Sequence, residues 1–317
     1  MKRLQRIRNS QIMRDMLAEN GFSRAQLIQP LFAVEGIKDK EEVPSLKENY
    51  RHTSESVLKQ IEDDLESGVR SFLLFVVPSA KSESHFDLTF HTNTISNIKK
   101  RFGAEINLWI DTCLCSFTAS GHCCIFHQTG QADLESTLGE LGALALSSAQ
   151  AGADGISPSD MTDGRTGHLR AVLDKSGYGT VPIMSYSTKF ASSFYGPFRV
   201  AADCAPQFGD RKQYQIDPRN RSDALASSVR CAEEGADLLM VKPGITSIDL
   251  IRPIHELTMR PVGAYQVSGE YGSLCTMAEK GLMNFDAALV ETWHVFRRAG
   301  AAYIITYGAR SAKRLGF

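Results

Sequence analysis

Two lysines, each at the end of an apolar run, are the residues of this sequence best suited to covalent chemistry. Lys189 closes the run IMSYSTK and Lys242 closes the run LLMVK. A lysine that is partly desolvated and lies near a second cation favours its neutral amine, the form that attacks a carbonyl group. The pair therefore predicts imine (Schiff-base) formation with a ketone. The alternative is that each lysine forms an ion pair with a carboxylate such as Asp111 or Asp160.

A cysteine-rich segment, DTCLCSFTASGHCC, follows a third apolar run. Cys113 and Cys115 at a CxC spacing, with Cys123 in the following loop, can bind one soft divalent cation and leave a coordination position open. An open position is typical of a catalytic metal site. His122 and Cys124 are rival ligands, so a four-ligand structural zinc site is a second interpretation. Reduced, buried cysteines without a metal are the third.

Anion-binding residues follow Lys189 in a polar loop that extends to residue 215. Arginine can bind a carboxylate with two parallel hydrogen bonds, so the loop predicts a lid over an anionic substrate. Ser268 and Tyr307, at two other strand ends, are candidates for a second carboxylate site. Two amines, two carboxylate sites and a thiolate-bound metal imply two keto-acid substrates that are condensed together. The candidate residues of the loop are Tyr195, Arg199, Arg211 and Gln215.

Short apolar runs that alternate with amphipathic segments must position these residues. Such runs predict buried parallel strands covered by helices, and eight of them in one chain favour a closed TIM (β/α)8 barrel. The active site of such a barrel lies at the carboxyl ends of the strands, where all the candidate residues fall. No GxGxxG or GxxxxGK[ST] motif supports a nucleotide-binding fold. The predicted strands are 27–34, 71–77, 106–113, 155–159, 183–189, 238–242, 262–268 and 303–307.

Composition excludes several classes of function for the 317-residue chain. Its net charge of -1 argues against binding of nucleic acid, which needs a clustered basic surface. No apolar run approaches the roughly 18 residues that span a bilayer, and the amino terminus lacks a signal-peptide core. We therefore expect a cytoplasmic protein. Residues 1–25 predict an amphipathic arm that packs on a neighbouring subunit, with a frayed tail as the alternative, and residues 26–317 predict the catalytic barrel.

Seven segments resemble, in collinear order from about residue 28 to 307, the porphobilinogen synthase (5-aminolevulinate dehydratase) family. The resemblance implies a TIM barrel with an amino-terminal arm, assembled as a homo-octamer of arm-exchanging dimers. It implies a hydro-lyase that joins two 5-aminolevulinate molecules into porphobilinogen, with loss of two waters, in tetrapyrrole (heme) biosynthesis. The segments are DTCLCSFTASGHC, SPSDMTDGR, SYSTKFASSFYGPFR, FGDRKQYQIDP, MVKPG, YQVSGEY and IITYGA.

The resemblance also implies a role for each candidate residue. Lys242 matches the lysine that binds the first substrate as an imine, and Lys189 the lysine that binds the second. Asp111 and Ser159 match residues near the reacting amine and carbonyl. The matching catalytic zinc (Zn2+) ligands are Cys113, Cys115 and Cys123. Arg199, Arg211 and Gln215 match the residues that bind the carboxylate of the second substrate. Tyr195 is a further expected substrate-binding residue. The first-substrate site matches Ser268 and Tyr307.

Three departures from the family pattern leave alternatives open. Ser120 and Cys124 replace a common histidine and glycine around GHC, and KSESH replaces the usual KDxxG after the second strand. The segment ALASSVRCAEEGAD lacks the acidic residue that many bacterial members use at an allosteric magnesium (Mg2+) site, which speaks against magnesium activation. The alternatives are a paralogue that condenses a different amino-ketone and a non-catalytic assembly or regulatory homologue. A class I aldolase is a weaker alternative, because it needs only one Schiff-base lysine and no zinc. This sequence has two candidate lysines and a candidate zinc site.

Overall fold

A barrel of parallel strands forms the centre of the computed structural model, which describes residues 3–317. Two short strands, Glu41–Glu42 and Tyr50–His52, extend the sheet beside the first barrel strand. A separate hairpin pairs Ile125–Phe126 with Ala132–Asp133. The barrel strands are β1 (Leu27–Val34), β2 (Ser71–Val77), β3 (Asn107–Thr112), β4 (Gly155–Pro158), β5 (Met184–Lys189), β6 (Leu238–Lys242), β7 (Val262–Gln266) and β8 (Tyr303–Thr306).

Helices follow the strands, as the alternating pattern predicts. The α-helices are α1 (Gln11–Met16), α2 (Ser56–Glu66), α3 (Thr89–Phe102), α4 (Leu134–Gln150), α5 (Arg165–Lys175), α6 (Gly196–Ala201), α7 (Arg221–Glu233), α8 (Ile248–Thr258), α9 (Ser268–Glu279) and α10 (Phe285–Ala299). The 3-10 helices are Leu4–Arg8, Arg24–Gln26, Gly103–Glu105, Leu114–Ser116, Ser193–Tyr195, Ile245–Ser247 and Ala309–Ser311.

The barrel closes between β4 and β5. All other neighbouring strands pair in the order β4-β3-β2-β1-β8-β7-β6-β5. At the seam, Ile156 and Ile183 form an isolated parallel bridge, and the Ile156 amide donates to the Pro182 carbonyl at 3.0 Å. The Ser157 hydroxyl donates to the Met184 carbonyl at 3.0 Å. The predicted TIM barrel is therefore confirmed.

Five predicted strands, the third, fourth, fifth, seventh and eighth, were one or two residues too long, and the third and seventh show the local reasons. The third strand ends at Thr112 because Cys113 already precedes the 3-10 turn Leu114–Ser116. The seventh ends at Gln266 because Ser268 opens helix α9. These differences place Cys113 in the turn that follows β3 and Ser268 at the start of helix α9, both beyond the carboxyl ends of their strands.

Helix α10 shows how the sequence pattern produces a helix that covers the barrel. Leu289, Trp293 and Phe296 share one face and are fully buried, and each such side chain contributes about 2 kcal/mol through burial. The Asn284 side chain accepts from the Ala287 amide at 2.9 Å and caps the amino terminus. Gly300 ends the helix in the left-handed conformation, at φ 102°.

The amino-terminal segment lies outside the barrel core. It consists of Leu4–Arg8 and α1, and Ile12 is 82% exposed. Residues 1 and 2 of the predicted arm lie outside the described residues. The division into an arm and a barrel domain stays a prediction, because a partner subunit would have to cover the exposed apolar residues of the arm. Nowhere in residues 3–317 is there a helix long and apolar enough to cross a membrane.

Candidate active site

The two lysines lie side by side at the barrel mouth. Lys189 and Lys242 are the last residues of β5 and β6, and they face each other in the register of these strands. Both side chains are buried. The Lys189 Nζ donates to the Ser159 carbonyl. Asp160, proposed as a lysine partner, instead pairs with Arg165, whose Nε lies 3.4 Å from its Oδ1.

Aromatic rings surround the amine of Lys242. Its Nζ lies 4.2 Å from the ring centre of Tyr265, 4.8 Å from that of Tyr186 and 5.0 Å from that of Phe198. Burial and the nearby charge of Lys189 lower the pKa of Lys242 from 10.5 to about 7, although Asp111 opposes this shift. A large part of the Lys242 population is therefore a neutral amine at neutral pH. That is the nucleophilic form that imine formation requires.

The lowered pKa of Lys242 predicts how imine formation depends on pH. Below the pKa of about 7 the amine is protonated and unreactive, and above it the amine is neutral. The neutral fraction rises about tenfold between pH 6 and pH 8 and then levels off. We therefore expect the rate of cyanoborohydride trapping with 5-aminolevulinate to rise about tenfold and then reach a plateau. A rate that keeps rising tenfold per pH unit up to pH 9 would instead indicate an ordinary lysine pKa.

Asp111 and Ser159 lie next to the lysines, at the ends of β3 and β4. The amide of Ser159 donates to the Thr112 carbonyl at 3.2 Å, which fixes the two strand ends together. Burial raises the pKa of Asp111 to about 6, while the Ser159 hydroxyl, Lys242 and Lys189 lower it. A carboxyl group with this pKa can hold or release a proton close to either amine near neutral pH.

Three thiols form a compact group beside the lysines. The Sγ atoms of Cys113, Cys115 and Cys123 lie within 4.8 Å of one another, and all three residues are buried. Burial, together with hydrogen bonds from the Cys113 thiol to the other two cysteines, raises the pKa of Cys113 well above its ordinary value. A soft divalent cation would remove this cost by binding the three as thiolates. The donor set therefore fits a metal with one open position.

The two rival ligands are not part of this group. The Nε2 of His122 donates to the Phe208 carbonyl at 2.9 Å, so its Nδ1 accepts from the Tyr214 hydroxyl at 3.0 Å. Both ring nitrogens are thus engaged by the loop that follows β5. Cys124 lines a cavity of about 640 Å³ that Gln215 also lines, and burial raises the pKa of Cys124 to about 12. The geometry of the described residues favours the three-thiol interpretation over a four-ligand site that includes either residue.

Residues 190–215, which we call the lid segment, cover the lysines. Phe198 of helix α6 contacts Lys242, and its ring meets that of Phe75 edge-on at 5.0 Å. The Tyr195 hydroxyl lies 2.8 Å from the Phe190 carbonyl and 3.2 Å from the Lys242 carbonyl. Ser268 accepts from the Phe198 amide at 3.0 Å through its hydroxyl oxygen. The hydroxyl groups of Tyr195 and Ser268 therefore hold the lid segment in this structure.

The remaining predicted anion-binding residues converge on the same mouth. Arg211 and Gln215 are buried, whereas Arg199 is only partly buried. The Tyr307 hydroxyl lies 3.3 Å from that of Tyr265. Within the described chain, several buried polar atoms here have no protein partner, as expected where a polar ligand binds. They are Asp111 Oδ1, Tyr186 Oη, Arg199 Nε, Arg211 Nε and Gln215 Nε2.

Sequence reasoning missed the aromatic residues around Lys242 and assigned no role to one buried acid. Tyr186 and Tyr265 could have been identified from the sequence as bulky aromatic residues within strands that are predicted to be buried. The Glu270 carboxylate accepts from the amides of Ile245 at 2.7 Å and Val267 at 2.8 Å. It thereby fixes the loop that follows Lys242. Burial raises the pKa of Glu270 to about 7.

Comparisons with known proteins agree with this geometry. The family model for delta-aminolevulinic acid dehydratase matches residues 1–315. The delta-aminolevulinic acid dehydratase of Staphylococcus aureus (strain Mu50) is 39% identical over 98% of both chains. That of Helicobacter pylori (strain J99) is 40% identical over 99% of this chain and 98% of its own.

A solved structure extends the agreement to the whole fold. The crystal structure of delta-aminolevulinic acid dehydratase (porphobilinogen synthase) from Toxoplasma gondii ME49, in complex with the reaction product porphobilinogen, has a TM-score of 0.95. It is 35% identical and is matched over 99% of this chain and 91% of its own. The family resemblance of the seven sequence segments is thus confirmed, and the chain belongs to the delta-aminolevulinic acid dehydratase family of lyases.

Proposed function

We propose that the chain carries out its family's reaction through imines on Lys242 and Lys189. The reaction condenses two 5-aminolevulinate molecules into porphobilinogen, with loss of two waters, in heme biosynthesis. The observation that carries the mechanism is the register of β5 and β6, which places two buried lysines side by side. One amine for each ketone is what a condensation of two amino-ketones needs.

Each lysine has a distinct environment that suits a distinct role. Lys242 is a reactive amine near neutral pH, because burial and the charge of Lys189 lower its pKa to about 7. Its neutral Nζ attacks the ketone carbon of the first substrate, and loss of water leaves the imine. Lys189 binds the second substrate in the same way. Asp111, with its pKa near 6, takes up and returns protons between the two amines.

The three-thiol group is the proposed site of a catalytic zinc ion. Cys113, Cys115 and Cys123 would supply three thiolates, and their Sγ atoms, all within 4.8 Å of one another, are close enough together for one ion to bind all three. Zinc bound there would supply a Lewis acid that acts on the second substrate or on a water beside it. The cysteines lie on the loop that follows Asp111, so a bound metal would lie beside this acid and the two amines at the barrel mouth.

The carboxylate sites complete the proposed assignment. Arg199, Arg211 and Gln215, on or at the end of the lid segment, bind the carboxylate of the second substrate, with Tyr195 beside them. Ser268 and Tyr307 bind that of the first. Unpaired atoms on Arg199, Arg211 and Gln215 support the first of these sites. Because Tyr195 and Ser268 now bind backbone groups, substrate binding there requires the lid segment to move.

Assembly and location are part of the same proposal. The exposed apolar residues of the amino-terminal segment need cover, which a neighbouring subunit in an octamer of arm-exchanging dimers would give. They include Leu4, Ile7, Ile12 and Met16. A reducing compartment such as the cytoplasm agrees with seven cysteines that are all free.

A colorimetric porphobilinogen assay tests the proposed function. Metal-depleted protein is incubated with 5-aminolevulinate, alone and with zinc or magnesium. We expect product only after zinc is restored, and no further stimulation by magnesium. Folded, zinc-loaded protein that forms no porphobilinogen would support the non-catalytic homologue. Turnover of another amino-ketone in place of 5-aminolevulinate would support the specialised paralogue.

A further inference from the structure

A buried carboxylate, that of Glu270, joins two loops at the barrel mouth. Glu270 lies in the first turn of helix α9, and only 4% of its surface is exposed. Its Oε1 accepts from the Ile245 amide at 2.7 Å, and its Oε2 accepts from the amides of Val267 at 2.8 Å and Gly244 at 3.3 Å. One side chain therefore binds the loop after β6 and the loop after β7 together.

The loop after β6 begins at Lys242, the lysine of the proposed first imine. Gly244 in this loop has no room for a side chain, because a Cβ atom there would lie 2.9 Å from both the Phe296 ring and the Tyr265 carbonyl. The Gly244 amide also donates to that carbonyl at 2.7 Å. Glu270 therefore fixes a loop that packs directly against β7, and with it the carboxyl end of β6 at Lys242.

The loop after β7 leads into Ser268, a proposed binding residue for the first-substrate carboxylate. Ser268 follows Val267, whose amide donates to Glu270. Gly269 comes next and lies so close to the lid segment that a Cβ atom there would stand 2.6 Å from the Phe194 carbonyl. This short turn is therefore fixed both by Glu270 and by its contact with the lid segment.

We propose that Glu270 is a positioning residue, which sets the spacing between Lys242 and Ser268 to fit one keto-acid substrate. The proposal rests on the proposed function and adds to it a basis for substrate recognition. In 5-aminolevulinate two methylene groups separate the ketone from the carboxylate, so an imine at one end fixes where the carboxylate must be bound. The two binding residues follow different strands, and the hydrogen bonds of Glu270 hold their loops at this spacing.

Both acceptor oxygens of Glu270 and the length of its side chain are used. Glu270→Gln keeps the shape but turns one acceptor oxygen into an amino donor, which would face backbone amides that are themselves donors. Glu270→Asp keeps the charge but is one methylene group shorter, so its carboxylate cannot bind all three amides unless a loop moves. The competing explanation is that Glu270 only caps helix α9 and contributes to stability.

Reductive trapping with two ketones tests the proposal in the full-length protein. 4-Oxopentanoate is the substrate without its amino group, and butanone lacks the carboxylate as well. At equal low concentrations, the reduced adduct on Lys242, measured by peptide mass spectrometry, gives a trapping rate for each ketone. We expect the parent protein to trap 4-oxopentanoate at least about tenfold faster than butanone. Glu270→Gln and Glu270→Asp should lose most of this preference, while their trapping of butanone stays within about twofold of the parent rate.

Three further substitutions separate positioning from stability. Glu279→Gln removes an exposed carboxylate from the other end of α9 and should leave both rates unchanged. Asn284→Ala removes the amino-terminal cap of α10, so it should lower the Tm but keep the preference for 4-oxopentanoate. Ser268→Ala should lose the preference as Glu270→Gln does, and the double variant should lose little more, because both changes disturb the same carboxylate site.

The outcomes distinguish this proposal from the proposed function. Folded Glu270→Gln and Glu270→Asp that keep the parent preference would overturn the positioning role, while the imine on Lys242 would stand. Should Glu270→Gln not fold, Glu270→Asp gives the same test with the charge retained. An equal loss of preference in Asn284→Ala would make reduced stability the cause and would also overturn the role. A parent protein that forms no adduct on Lys242 with either ketone would overturn the proposed imine chemistry itself.

Discussion

Lys242→Met is expected to lower kcat by at least about 10³-fold, because it removes the amine that forms the first imine. This loss corresponds to about 4 kcal/mol in the activation barrier. The substitution should not reduce stability, because methionine can pack against Tyr186, Phe198 and Tyr265 and carries no charge that burial would desolvate. We therefore expect the Tm of the variant to equal or exceed that of the parent protein. Porphobilinogen formation and thermal unfolding measure the two effects.

Two control substitutions make this prediction specific. Lys175→Met changes an exposed lysine at the end of α5 and should leave kcat unchanged. Lys189→Met should also abolish product but should leave trapping of the first substrate on Lys242 possible. Turnover by Lys242→Met at more than a tenth of the parent rate would contradict the role of Lys242.

Cys123→Ser is expected to remove the metal and, with it, the activity. Loss of one of three thiolates leaves a weak oxygen donor, so affinity for zinc should fall by about 10²-fold or more. Cys123 is fully buried, and its amide lies 3.4 Å from the Tyr214 hydroxyl, so serine keeps the local backbone contacts. Isothermal titration with zinc gives the affinity, and the porphobilinogen assay gives the rate.

Cys231→Ser is the matched control, because Cys231 is equally buried but lies on α7. It should keep both zinc affinity and turnover. Exhaustive chelation of the parent protein should reproduce the defect of Cys123→Ser, and added zinc should restore only the parent. Full activity after chelation would make the cysteines structural and would contradict the proposed metal role.

Periodicity was sufficient to predict the barrel and the placement of the lysines. Each apolar run ends where polar chemistry begins, and the carboxyl ends of parallel strands meet at one mouth. Lys189 and Lys242 could therefore be placed together before their register was known. The boundaries at Cys113 and Ser268 failed because turns and helix starts are decided by local hydrogen bonds, which a hydrophobic pattern does not encode.

Contacts between distant loops could not be predicted from spacing. His122 lies beside Cys123 in sequence and was therefore a candidate metal ligand. In the structure, both of its ring nitrogens form hydrogen bonds with residues of the lid segment. Tyr265 approaches Lys242 because β6 and β7 are paired, which only the register reveals.

Reductive trapping tests the central claim most directly. The protein is incubated with 5-aminolevulinate and borohydride, digested, and analysed by peptide mass spectrometry. The proposed chemistry predicts a reduced substrate adduct on Lys242, absent from Lys242→Met and from samples without borohydride. A fully active enzyme with no adduct on Lys242 would contradict imine catalysis at this residue.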